Sequence, residues 1–97
     1  MPNAIICDAI DRRLRIELTY SDHVRVLEPH LHGAGADGAE LVLGWQVRGG
    51  PDVDPLGWKL LRLDETTDIQ SIAESAYVPR IGYVRDHEQF VKVFCRV

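Results

Sequence analysis

The sequence predicts a mainly β fold, a small β-barrel with one α-helix packed at its N-terminal end. Three observations predict it: an opening segment with helical spacing, five or six short stretches of alternating polarity after it, and regularly spaced turns rich in Gly, Pro and Asp. A sandwich is disfavoured, because too few strands are available for two full sheets. The chain, residues 1–97, reads as a single domain, long enough to bury an adequate core without staples.

The helix is expected over about residues 3–12. Asn3 offers a capping oxygen, and Ile6, Ala9, Ile10 and Arg13 then fall on one face. In "LRIELTY" the period changes to two: Leu14, Ile16, Leu18 and Tyr20 alternate with Arg15, Glu17 and Thr19, the pattern of a half-buried strand. "SDH" is a tight turn into "VRVLEPHLH". There Val24 and Val26 lie on one face, Leu27 and Leu31 on the other, and Pro29 stands between the two registers. Proline cannot donate a ladder hydrogen bond, so a bulge or sharp bend is expected here, letting one strand serve two faces.

"GAGADGA" is a hairpin loop. After it Leu41, Leu43, Trp45 and Val47 alternate with Val42, Gly44, Gln46 and Arg48 as a third strand. "GGPDVDPLG" is a long turn and "WKLLRL" a fourth strand. Trp45 and Trp58 hold inward-facing positions and are expected in the core. "DETTDIQSIAES" has two readings: Ile69, Ile72, Ala73 and Ala76 have helical spacing, while its β-branched residues permit a short strand. "VPRIGY" is irregular. "FVKVFCRV" ends the chain with Val91, Val93, Cys95 and Val97 facing one way, so that strands run from about residue 14 to 96.

Net charge is -4, with 15 acidic against 11 basic residues, which opposes indiscriminate nucleic-acid binding but allows a local basic pocket. No apolar run approaches the roughly 20 residues needed to span a bilayer. "MPNAIICDAIDRR" lacks the basic region of a secretory signal. A cytoplasmic location without membrane association is the expectation. In that reducing setting Cys7 and Cys95 are expected as small buried hydrophobes, not as a disulfide or metal ligands.

Taken in order, "AIICDAIDRRLRIELTY", "RVLEPH", "LVLGWQV" and "GWKLLRLDET" resemble the WYL domain family. Tyr20, Arg25, Glu28, Pro29 and the run Arg62-Leu63-Asp64 carry the likeness, which covers roughly residues 4–80. Of the Trp-Tyr-Leu signature only Trp45 is kept, with Gln46 and Val47 in the other two places. Most family members are fused to a DNA-binding helical domain, for which 97 residues leave no room; the final "VPRIGYVRDHEQFVKVFCRV" is similar to the ending of short, free-standing relatives. The resemblance implies an SH3-like or Sm-like barrel and a ligand-sensing module in transcription regulation, not an enzyme. A nucleotide, a cyclic dinucleotide or single-stranded nucleic acid is the implied ligand, with no cofactor. A separate DNA-binding protein is an implied partner, and a homodimer is compatible with it.

The same resemblance points to Tyr20, Arg25, Gln46 and Arg62 as a ligand-binding pocket, with Lys59 and His30 as neighbours. The chemistry suits that role, since arginine presents a planar fork to phosphate and aromatic rings stack on bases. The alternative for Arg25 is a carboxylate partner, and for Tyr20 packing at the barrel edge. Arg80, Tyr83 and Arg85 form a basic, aromatic loop able to touch nucleic acid, although Tyr83 is expected to pack back on the barrel. On a regular strand His30 and His32 would share a face, and Glu28 with them, but a polar strand end accounts for all three and no metal site is expected. Adjacent Asp64 and Glu65 would point to opposite faces, and no catalytic motif occurs.

The second reading of function is a protein-interaction or dimerisation module acting through exposed barrel edges. Convergence of Arg25, Lys59 and Arg62 on one cavity would favour ligand binding. Their dispersal, or pairing with Asp and Glu, would favour the interaction module.

Overall fold

A computed structural model describes residues 3–52, 54–72 and 76–97. Helix α1 spans Ala4–Arg12, and the Asn3 side chain caps it by accepting from the backbone N–H groups of Ile5 and Ile6. It ends at Arg13, whose left-handed backbone (φ 57°) turns the chain back toward the sheet. Its apolar stripe, Ile6, Ala9 and Ile10, is fully buried.

Among the described residues six antiparallel strands follow in one sheet: β1 (Ile16–Tyr20), β2 (His23–Ala34), β3 (Glu40–Gly49), β4 (Gly57–Arg62), β5 (Thr66–Ser71) and β6 (Lys92–Arg96). Ser21 and Asp22, with φ of 50° and 61°, make the two-residue hairpin between β1 and β2, where both central residues must be left-handed. A single 3₁₀ turn, Leu63–Glu65, separates β4 from β5. The strand order is β4-β3-β2-β1-β5. The long β2 serves two neighbours on one side: β1 against His23–Leu27 and β6 against Leu31–Ala34. Gly33 permits the second, because a Cβ there would collide with the Lys92 carbonyl and the Phe90 ring.

The core lies between α1 and one face of this sheet. Ile6, Ala9 and Ile10 pack on Ile16, Leu18, Leu27, Val42 and Leu61, with Leu14, Tyr20, Ile69, Cys95 and Val97 around them. Each large aliphatic side chain buried there contributes about 1.5–3 kcal/mol.

The fold departs from expectation at several points. The sheet is open: β4 and β5 are its two ends, and no ladder joins them among the described residues. The ambiguous segment is a strand, β5, because Thr66–Ser71 pair with β1; Ala73 and, in the long turn, Val53 lie outside the described residues. Trp45 and Trp58 are half-buried on the face away from α1, since Val42 and Leu61, one register over, take the core positions. Val91 and Val93 are exposed at the start of the last strand.

Cys7 and Cys95 are joined as a disulfide, which corrects their reading as free core thiols. Docking α1 against β6 brings their Cα atoms to 5.7 Å, within the reach of a bridge. The bond closes a loop of 88 residues in sequence separation, and by the loop-entropy model such a closure contributes about 4–5 kcal/mol. No helix among the described residues is long and apolar enough to cross a membrane.

Candidate functional site

The expected bulge is present, and it decides the fate of both histidines. Pro29 pairs with Gly44 and Leu31 with Leu43, leaving His30 as the extra residue. That insertion flips the alternation. His30 turns to the outer face, among Trp58, Tyr77 and Tyr83 at ring separations of 4.8, 5.4 and 5.1 Å. His32 turns inward, against Phe94 and the Cys7–Cys95 bridge. The two imidazoles therefore do not share a face, and a His-x-His metal pair is excluded by geometry.

His30 is saturated as a neutral ring. Its Nδ1–H donates to the Glu28 carbonyl at 2.7 Å, and its Nε2 accepts from the Arg80 backbone N–H at 3.0 Å. Burial pushes its pKa down, outweighing the carbonyl bond. Tyr77 and Tyr83 close over it, their hydroxyls donating to the carbonyls of Pro29 and His30. Burial raises both phenols, so they remain donors. The expected packing of Tyr83 is met.

Beside this aromatic cluster lies Glu28, a carboxylate only 1% exposed. Arg80 reaches it with a fork, Nε at 2.6 Å from Oε1 and Nη2 at 3.1 Å from Oε2, and Arg15 donates from Nε at 3.1 Å. Two guanidiniums thus neutralise one buried acid. The Arg80 guanidinium also covers Trp45, 5.2 Å from the ring centroid. A cleft of about 560 Å³ opens here, lined by Arg15, Glu28, Trp45, Tyr77, Arg80 and Ile81. Arg85, from the same loop, donates to the Val97 carbonyl instead.

The residues expected to bind a ligand divide into three places. Tyr20, Arg25, Gln46 and Lys59 do come together, but around Asp54. Arg25, only 4% exposed, donates to Asp54 at 2.6 Å and to Gln46 at 3.3 Å, and lies 5.1 Å over the Tyr20 ring. Lys59 donates to the other Asp54 oxygen at 2.8 Å, and Gln46 spends its amide on the Gly49 carbonyl. The hydrogen bonds from Lys59 and Arg25 hold the Asp54 carboxyl below its usual range. His30 belongs to the aromatic cluster. Arg62, on the outer part of β4, is held by Asp64 and Asp37, and those bonds raise its pKa.

Asp54 and Arg15 were not legible as site members, nor was Arg80, expected in a basic, aromatic loop, as the partner of Glu28. Asp54 lies in a turn whose composition signals only a turn, and 52 residues separate Arg80 from Glu28. Glu40 is a fourth addition: eight residues beyond His32, it returns across the β2–β3 hairpin to accept from His32 Nε2 at 2.5 Å. No protein-family model matches this chain, and neither a curated protein nor a solved structure does.

Proposed function

We propose that the chain is a free-standing WYL-like domain that works by protein–protein contact through its open sheet edges, with a second copy of itself as the first partner. The carrying observation is that the outer backbone rows of β4 and β5 have no partner strand among the described residues. Unpaired N–H and C=O rows are templates for strand addition. Leu56, just before β4, and Leu60, on it, add apolar surface at 57% and 38% exposure. Each copy carries both edges, so pairing needs no other component.

Two further points support this reading. A helix before β1, the order β4-β3-β2-β1-β5 and a 3₁₀ turn before β5 are compatible with an SH3-like or Sm-like barrel. The cations that would bind an anionic ligand are occupied by this chain's own carboxylates, Arg25 and Lys59 on Asp54, Arg62 on Asp37 and Asp64. The location proposed is cytoplasmic, where thiols would open the Cys7–Cys95 bond part of the time.

Light scattering on a sizing column, over a wide concentration range, tests the proposal. Mass should rise above monomer with concentration and return to monomer in Leu60→Lys or Gln70→Lys, which place a charge on each edge. A monomer at every concentration rejects self-association.

The cleft at Trp45 favours a second reading, a nucleotide-like or single-stranded nucleic-acid ligand stacked on Trp45 with its phosphate on Arg15 and Arg80. Quenching of tryptophan fluorescence by nucleotides or short oligonucleotides, lost in Arg80→Ala, is its signature.

A further inference from the structure

We propose that Cys7, His32 and Cys95 form a redox-gated metal site, which binds a thiophilic divalent cation of the zinc class when the disulfide is reduced. The three donors come from α1, β2 and β6, and their ligand atoms lie within 4.8 Å of one another. His32 Nδ1 faces both sulfurs, 3.2 Å from Cys7 and 3.5 Å from Cys95. Ligands at zinc distances of about 2.0–2.3 Å in a tetrahedron stand roughly 3.5–3.8 Å apart. The nitrogen–sulfur separations are thus near their final values, and only the two sulfurs must move apart on cleavage.

The second observation is an orphaned lone pair. His32 is fully buried, and its Nε2 meets the Glu40 carboxylate at 2.5 Å. An ionised carboxylate only accepts, so the ring proton sits on Nε2 and Nδ1 is bare. The disulfide sulfurs in front of Nδ1 carry no hydrogen to give it. A buried acceptor is thereby aimed at a group that cannot satisfy it, whereas a metal held by two thiolates would. Glu40 completes the arrangement from behind: a carboxylate on the far nitrogen fixes the tautomer and raises the basicity of the ligating one. Glu40 is itself held by the Asn3 backbone N–H at 2.7 Å.

The step balances. Two low-molecular-weight thiols supply two electrons and two protons, the Sγ–Sγ bond breaks to give two cysteine thiols, and the reductant leaves as its own disulfide. Cation binding then releases those two protons. One divalent cation, two thiolates and a neutral imidazole sum to zero charge, which suits a site this buried. Cys7 and Cys95 are half-buried, leaving a side from which reductant, cation and a fourth ligand can enter.

The test is a cobalt titration of the protein reduced with a phosphine under anaerobic conditions. The expected result is thiolate-to-cobalt charge-transfer absorption that saturates at one equivalent and is abolished by zinc. It should be absent from the oxidised protein and from Cys7→Ser/Cys95→Ser. Glu40→Gln should weaken binding by about 10- to 100-fold while keeping the band. Reduction could itself unfold the chain; in that case zinc should restore the circular dichroism and melting transition to the reduced wild type and not to the double serine variant. Reduced, folded protein with no such band, a band that survives in the double serine variant, or reduced, unfolded protein that zinc does not rescue each overturns the proposal.

Discussion

His30 and His32 stand two residues apart on one strand and face opposite sides of the sheet, because a bulge at His30 breaks the alternation between them. The outer histidine keeps its proton on Nδ1, the inner one on Nε2, each fixed by what it meets. A single inserted residue thus gives one strand two separate polar sites.

Both rings should make the protein acid-sensitive. Burial is the largest influence on each and lowers both pKa values below 6.5. The unfolded chain therefore takes up protons first as pH falls. Stability is complete above about 6.5 and is lost as pH drops from there through the folded values, with a slope of at most about 2.7 kcal/mol per unit when both rings titrate. Denaturant midpoints of the oxidised protein should be clearly lower at about pH 5.5 than at 7.5. Equal midpoints would mean that both rings titrate in the fold as they do in the unfolded chain.

Glu28→Ala should cost about 3–5 kcal/mol, because it leaves two guanidiniums without their buried anion. Arg80→Ala should cost less, since Arg15 still neutralises the acid. Chemical denaturation of the two variants gives the order directly. The reverse order would place the main anchor of the Arg80 loop elsewhere.

Asp54→Ala should lower the melting temperature and expose Arg25 and Lys59 to anions from solution. Phosphate should then stabilise the variant more than the wild type in a thermal-shift series. Equal responses would show that Arg25 and Lys59 are not held in check by Asp54.

Much of this fold was legible because its signals are local. Asn3 with the Ile6, Ala9, Ile10 stripe defines α1, the alternation around Ile16 and Leu18 defines β1, and Pro29 announces the bulge. The site was less legible because its contacts are long-range. The family resemblance groups Tyr20, Arg25, Gln46 and Lys59 but says nothing of Asp54, which stands where they meet. The Cys7–Cys95 bond depends on how α1 and β6 dock, which neither segment encodes alone. β5 could have been either element by pattern, and pairing with β1 decides it.

Gly33→Ala should loosen β6, since a Cβ meets the Lys92 carbonyl and Phe90. A loss of about 1–3 kcal/mol is expected, the usual range for overpacking. Amide exchange should quicken in Lys92–Arg96 more than in β1 or β3.

Hydrogen exchange of the wild-type protein, compared at low and high concentration, tests the interaction account most directly. The prediction is added protection at high concentration in Gly57–Arg62, Thr66–Ser71 or both, with the rest of the sheet unchanged. Exchange that ignores concentration in both strands, or protection gained only at the Trp45 cleft, would contradict association through the open edges.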